Sequence, residues 1–195
     1  MKSPCAVVLA GGGSRRMQGP HKATLDANGV PLAQYVAMRL SQTCDPVAIS
    51  YNGSADAVLN GPFSCFPDIL SGSLGPLAGI HGAMTFARQL GADRVITVAV
   101  DTPFFPDDFV SQMVQVGAPI AVAQSGDRVH PACGIWSVSL ISDLETYLMS
   151  GERRLWAWAQ SQGAVPVDWP VGHWDPFFNI NTPQDYAVAV TKLAD

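Results

Sequence analysis

Three short apolar runs, Cys5–Ala10, Val47–Tyr51 and Arg94–Val100, constrain the fold of this chain most. Each is rich in β-branched residues and bounded by Gly, Pro, Asp or Asn, the pattern of a strand covered on both faces. Strands of that kind need helices on either side, and segments with helical spacing lie between them. One starts at Pro31, a suitable first-turn residue, and sets Leu32, Tyr35, Val36 and Leu40 on one face. Another runs from Leu77 to Leu90. A third opens at Pro106 and leads to a strand at Pro119–Ala123. The alternation predicts an α/β fold, a three-layer sandwich with a mostly parallel sheet and helices on both faces.

The second half is less regular. Ser137–Met149 and Glu152–Gln160 read as helices and Ala164–Asp168 as a strand. Thr182-Pro183-Gln184-Asp185 has the form of a helix start: a threonine cap, a first-turn proline, and an acid three residues after the cap. With 195 residues and no linker, repeat or low-complexity tract, the expected organisation is one domain over residues 1–195.

Charge and cysteine usage exclude several function classes. A formal charge of −5 argues against a nucleic-acid binder, which needs a basic face. Cys5, Cys44, Cys65 and Cys133 form no C-x-x-C pair, which suits neither a zinc site nor a redox motif; they read as reduced, small core residues. No apolar stretch approaches the ~20 residues of a membrane helix, and Cys5–Ala10 is too short for a signal-peptide core. A cytoplasmic protein is expected, with neither nucleic acid nor membrane as partner.

The first strand runs straight into Leu9-Ala10-Gly11-Gly12-Gly13-Ser14-Arg15-Arg16-Met17. Glycines let a backbone approach a phosphate closely, with N–H groups turned inward as an anion nest. Arg15, Arg16 and Lys22 add three cations, as a triphosphate requires. A tight turn followed by a solvated basic stretch has the same composition. Two familiar phosphate loops do not fit: the dinucleotide fingerprint needs Gly where Arg16 stands, and the P-loop needs Ser or Thr where Ala23 follows Lys22.

This loop, with a lysine after four further residues, resembles the signature of the nucleotide-diphospho-sugar-transferase-like nucleotidyltransferases. Gly75-Pro76-Leu77-Ala78-Gly79, Asp101-Thr102-Pro103-Phe104-Phe105-Pro106, Gly151-Glu152-Arg153-Arg154 and Asn179-Ile180-Asn181-Thr182-Pro183 resemble segments of the MobA-type molybdenum cofactor guanylyltransferases, in the same order and at similar spacing. The resemblance covers essentially the whole chain. It departs at His21, where relatives usually carry an acid, and at Gln18, where they usually carry Gly.

The resemblance implies a Rossmann-like sheet and a Mg²⁺-dependent transfer of GMP from GTP to molybdopterin. It assigns Leu9, Ala10, Gly11, Gly12, Lys22, Asn52, Asp68 and Asp101 to the nucleotide, with Ser50 replacing Asn52 if the match slides by two residues. Lys22, Arg16 and Asp101 are then catalytic, and Asp101 is the metal ligand. Arg15, Arg153, Asn179 and Asn181 would meet the pterin. Residues 1–110 would bind mainly nucleotide, and 111–195 the pterin or a protein partner. The expected state is a monomer that works among cofactor-biosynthesis proteins, with molybdoenzymes or their chaperones as recipients. A cytidylyltransferase, a sugar- or polyol-phosphate nucleotidyltransferase, or a non-catalytic delivery module are the alternatives.

The residues support part of this without the resemblance. Asp101 ends an apolar strand, where open α/β sheets bind ligands, and a hard cation takes one or two carboxylates plus phosphate oxygens. His81, His130 and His173 have no acid or cysteine at a ligand or triad spacing, although His130 sits in what reads as an Arg128-Val129-His130-Pro131 turn. Trp156 and Trp158, two apart, point to different helix faces, so one is expected in the core. An anionic phosphate nucleophile needs no strong base, in keeping with the lack of a triad.

Overall fold

A computed structural model describes residues 3–11, 21–58, 62–69 and 75–193. Along the chain these form β1 (Cys5–Leu9), a small hairpin of β2 (Asp26–Ala27) and β3 (Val30–Pro31), α1 (Leu32–Leu40), β4 (Val47–Ser50) and β5 (Ser64–Phe66). Then come α2 (Pro76–Gln89), β6 (Arg94–Ala99), α3 (Phe109–Gln115), β7 (Ile120–Ser125) and β8 (Arg128–Ser137). The chain closes with α4 (Ile141–Met149), α5 (Leu155–Ser161), β9 (Val165–Trp169) and α6 (Pro183–Leu193).

Seven strands form one sheet in the order β5-β4-β1-β6-β8-β7-β9. The three apolar runs are its centre: β1 lies between β4 and β6, parallel to both. Strand alternation divides β1 between two cores. Ala6 and Val8 pack with Leu32, Val36 and Leu40 of α1, while Cys5 and Val7 pack with Leu77, Ile80 and Met84 of α2. Helices therefore cover both faces, and the sheet is mostly parallel. Trp158 is buried and stacked on Trp136, with ring centroids 6.1 Å apart, whereas Trp156 stays at the core's edge.

The largest departure from the sequence reading is β8. The segment Arg128–Pro131 is not a turn; the turn is at Gly126–Asp127, and Arg128 opens a ten-residue strand antiparallel to β6 and β7. Pro131 and Gly134 disguise it, because neither favours a central strand. A bulge accommodates them: Val122 pairs with Gly134 but the next residue, Ala123, pairs with His130. A Cβ at Gly134 would collide with the Ala121 carbonyl oxygen, so glycine is required where the strands close up again.

Several helix starts also shift. Pro31 ends β3 and α1 begins at Leu32. The turn after Pro106, closed by Phe109 N–H to the Pro106 carbonyl at 3.0 Å, delays α3 to Phe109. Ser137 ends β8, and a 3-10 turn at Val138–Leu140 precedes α4. Because β8 returns the chain to the amino end of β6, pairing Ser137 with Arg94, α4 climbs back toward the carboxyl end of the sheet. No helix among the described residues is long and apolar enough to cross a membrane.

Candidate active site

A cleft of about 440 Å³ opens at the carboxyl ends of β1 and β6, the position where open α/β sheets present loops to ligands. Gly11 and Asp68 stand at the end toward β4, and Lys22, Asp101 and Asn179 at the end toward β6; the glycine-bearing start of α2 also lines the cleft. Two glycines shape its walls. Gly75 has φ +63°, a region L side chains rarely adopt, and so can turn the chain sharply into α2. A Cβ at Gly79 would sit 3.1 Å from a Leu9 methyl, so glycine there lets α2 lie close against β1.

The charged end is an ion pair. Lys22 Nζ lies 2.8 Å from Asp101 Oδ2, with the two side chains only 14% and 19% exposed. Lys22 also donates to Asn181 Oδ1 at 2.7 Å, and Asn179 Nδ2 donates to Asp101 Oδ1 at 3.2 Å. The Ile180 N–H reaches the Asp101 carbonyl at 2.8 Å while the Ile180 side chain is buried. In an extended segment residues two apart point the same way, so Asn179 and Asn181 both face the ion pair. The Asn179 orientation follows from its neighbour, since a carboxylate can only accept. That leaves Asn179 Oδ1 buried beside Asp101 with no hydrogen-bond partner among the described residues.

The opposite end is built on Asp68. Its Oδ2 accepts from Asn52 Nδ2 at 2.8 Å, its backbone N–H donates to Asn52 Oδ1 at 2.8 Å, and its Oδ1 accepts from the buried Ser50 hydroxyl at 3.2 Å. Ser50 and Asn52, which the sequence could not separate, thus both hold the same carboxylate. A Cβ on Gly11 would lie 3.2 Å from Asn52 Nδ2 and 3.5 Å from Asp68 Oδ2, so the missing side chain keeps the approach to Asp68 open. Leu9 lines the cleft; Ala10 is buried and donates its N–H to the Ser50 carbonyl.

His21 takes a structural role that an acid can also fill. Its Nδ1 accepts from Ala23 N–H at 3.3 Å, capping the 3-10 turn Lys22–Thr24, and its ring packs edge-on against Tyr51. Gly12, Arg15 and Arg16 lie outside the described residues. Arg153 is not among the residues lining the cleft: its guanidinium donates to the Leu148 and Glu152 carbonyls at 2.9 and 2.6 Å. It lies between α4 and α5, at the same end of the sheet as the cleft.

Other nucleophiles are held away from chemistry. Burial pushes the Cys133 thiol up to about 11 and the Cys44 thiol up to about 12, so neither supplies a thiolate at neutral pH. Ser125 Oγ does contact His130 Nε2 at 2.8 Å, but Ser125 is buried and burial lowers the His130 pKa. His81 has an acid partner after all, Glu145 at 2.9 Å on α4, which chain spacing could not reveal. Among the described residues no three His, Cys, Asp or Glu side chains cluster as a metal cage. The sequence also missed Ala132 of β8 on the cleft wall, because it missed β8.

Comparison with known proteins bears on the family and on the fold. The model of the MobA-like NTP transferase domain matches residues 6–165. A molybdenum cofactor guanylyltransferase of Rhizobium leguminosarum bv. trifolii is 42% identical over 193 residues, covering 94% of this chain and 90% of the relative. One from Cereibacter sphaeroides is 38% identical over 188 residues, covering 96% and 95%. In fold, the chain is similar to the crystal structure of molybdopterin-guanine dinucleotide biosynthesis protein A from Archaeoglobus fulgidus, with TM-score 0.76 at 22% identity, covering 97% and 98%.

Proposed function

The chain belongs to the MobA-like NTP transferases, a nucleotidyltransferase family, and on that premise we propose that it moves GMP from GTP to the terminal phosphate of molybdopterin, releasing pyrophosphate. The observation that carries this reading is a single cleft with Asp68 at one end and the Lys22–Asp101 pair at the other. Base recognition belongs to the first end and phosphate chemistry to the second.

The Asp68 end favours guanine on chemical grounds. Guanine presents two adjacent donors, its ring N1–H and exocyclic amine, and a carboxylate offers two adjacent acceptors. Ser50 and Asn52 fix the plane of that carboxylate. Cytosine and adenine each set a ring acceptor beside their amine, and that acceptor would face the Asp68 charge. A site built on such hydrogen bonds rejects the wrong partner strongly, because buried groups are left unpaired.

At the other end the donor set fits a small hard cation. Asp101 would supply one carboxylate and Asn179 an amide oxygen that has no hydrogen-bond partner among the described residues, and Mg²⁺ takes few protein ligands when substrate phosphates supply others. Held there, Mg²⁺ would neutralise charge on the phosphates of GTP. Lys22 would turn from Asp101 to the phosphates and stabilise the negative charge that passes to the leaving pyrophosphate. Asn181 keeps the lysine in reach. The incoming phosphate is already anionic, so the chain needs no general base, and its task is alignment and charge stabilisation. The pterin would enter from the side of residues 111–195, and the domain would work as one unit.

A nucleotide panel tests the base reading. With Mg²⁺ present, kcat/KM for GTP should exceed that for CTP and ATP by at least about 100-fold. Asp68→Asn, which replaces one acceptor with a donor, should remove most of that preference. Equal kinetics with CTP would turn the assignment to a cytidylyltransferase.

A further inference from the structure

Asp185, in the first turn of α6, is not among the residues lining the cleft, yet a continuous set of hydrogen bonds joins it to Lys22. Its Oδ2 accepts from the backbone N–H groups of Asn181 at 2.9 Å and Thr182 at 2.8 Å. In return Thr182 Oγ1 accepts from the Asp185 N–H at 3.1 Å. Such a reciprocal cap satisfies donors that a helix start leaves unpaired, and by itself would be only a stability device.

The role of Asn181 extends it. The Asn181 amide oxygen accepts from Lys22 Nζ, so the placement of the Asn181 backbone sets where that oxygen stands. On one side the backbone is tied down by Ile180, buried and bonded to the Asp101 carbonyl. On the other side the tie is the Asp185 carboxylate. Tyr186, the next residue, donates its hydroxyl to the Asp26 carbonyl at 2.7 Å, just beyond the turn that carries Lys22. The start of α6 therefore holds the lysine segment at both its ammonium and its backbone. Partial burial raises the Asp185 pKa, but the Asn181 and Thr182 hydrogen bonds and the Lys22 charge outweigh it, and the net shift is downward. At neutral pH the cap is a full carboxylate.

We propose that Asp185 is a positioning residue for the reaction: by fixing the Asn181 backbone, it keeps the amide oxygen where it aims the Lys22 ammonium at the phosphates. A lysine has four rotatable side-chain bonds, and its charge stabilises a transition state only when delivered to one place. The inference rests on the reading of Lys22 as a phosphate-contacting group.

A double-mutant cycle on GMP transfer separates this role from a purely structural one, with every variant assayed well below its own melting temperature. With Lys22 present, Asp185→Ala should lower kcat/KM for GTP about tenfold, with losses in both kcat and nucleotide affinity, as expected of a residue that acts through Lys22. In the Lys22→Ala background the same change should cost less than about twofold, because two residues acting through one group are non-additive. Asp185→Asn retains an acceptor oxygen for both N–H groups and should recover kcat to within about threefold of the parent. If Asp185→Ala does not fold, Asp185→Ser, too short to reach both donors, should show the same loss and the same non-additivity. Equal losses in both backgrounds, or no loss with Lys22 present, overturn the proposal and leave the functional reading standing. Full activity of Lys22→Ala alone overturns both.

Discussion

Asp101→Asn should lower guanylyl transfer by about a thousandfold while moving Tm by no more than about 5 °C. The two effects separate because the proposed mechanism gives the side chain a chemical role distinct from its structural one. Structurally, asparagine is nearly isosteric and still offers Lys22 an acceptor oxygen. Its new amide donor faces Asn179, whose own oxygen is buried without a partner among the described residues. A rotation of the Asn179 amide restores one hydrogen bond there. The Asp101 backbone carbonyl, which accepts from Ile180, is untouched. Chemically, the loss is severe, because a neutral amide does not hold a hard divalent cation against water as a carboxylate does. A folded Asp101→Asn protein with near-parental transfer in Mg²⁺ would remove the metal from this end of the cleft.

Lys22→Ala is expected to reduce kcat/KM for GTP by about a hundredfold, with losses in both turnover and nucleotide affinity. On the proposed mechanism the ammonium would meet the triphosphate in the ground state and the departing pyrophosphate in the transition state, so neither parameter escapes. Removing it also leaves the Asp101 carboxylate without its ion-pair partner. Mg²⁺ added without nucleotide should therefore bind the variant more tightly than the parent, since the competing cation is gone. The neighbouring substitution is the control. His21→Asp keeps an acceptor able to cap the Lys22–Thr24 turn, as His21 Nδ1 does now, and aspartate is a good capping residue. It should stay within about threefold of the parent. Loss of activity in His21→Asp together with survival of Lys22→Ala would show that the two residues have been given each other's roles.

The parts of this molecule that were legible in the sequence share one physical property: local pattern decides them. The central strands announce themselves because both faces are buried, and Asp101 because it ends such a strand. The cap at Thr182 and Asp185 is written into four consecutive residues, and the structure forms it. β8 was hidden because its irregularity is repaired by a partner: Pro131 and Gly134 are tolerated only through the bulge against β7. The Lys22–Asn181 contact joins residues 159 positions apart, and His81–Glu145 joins residues 64 apart. Spacing cannot report such pairs; only the topology brings them together. The two asparagines show the limit well. Their periodicity says that both face one target, and the fold makes that target the ion pair. The same amides suit the polar edge of a pterin.

The proposed GMP transfer is one covalent exchange, so the most direct measurement follows the atoms. Purified protein is incubated with molybdopterin, Mg²⁺ and GTP labelled at its α-phosphate, and both the labelled dinucleotide and pyrophosphate are quantified. The result expected is label in the molybdopterin guanine dinucleotide with one pyrophosphate released per label transferred, and neither product from GTP alone. Label that stays in GTP, or that passes to a sugar phosphate and not to molybdopterin, would contradict the account.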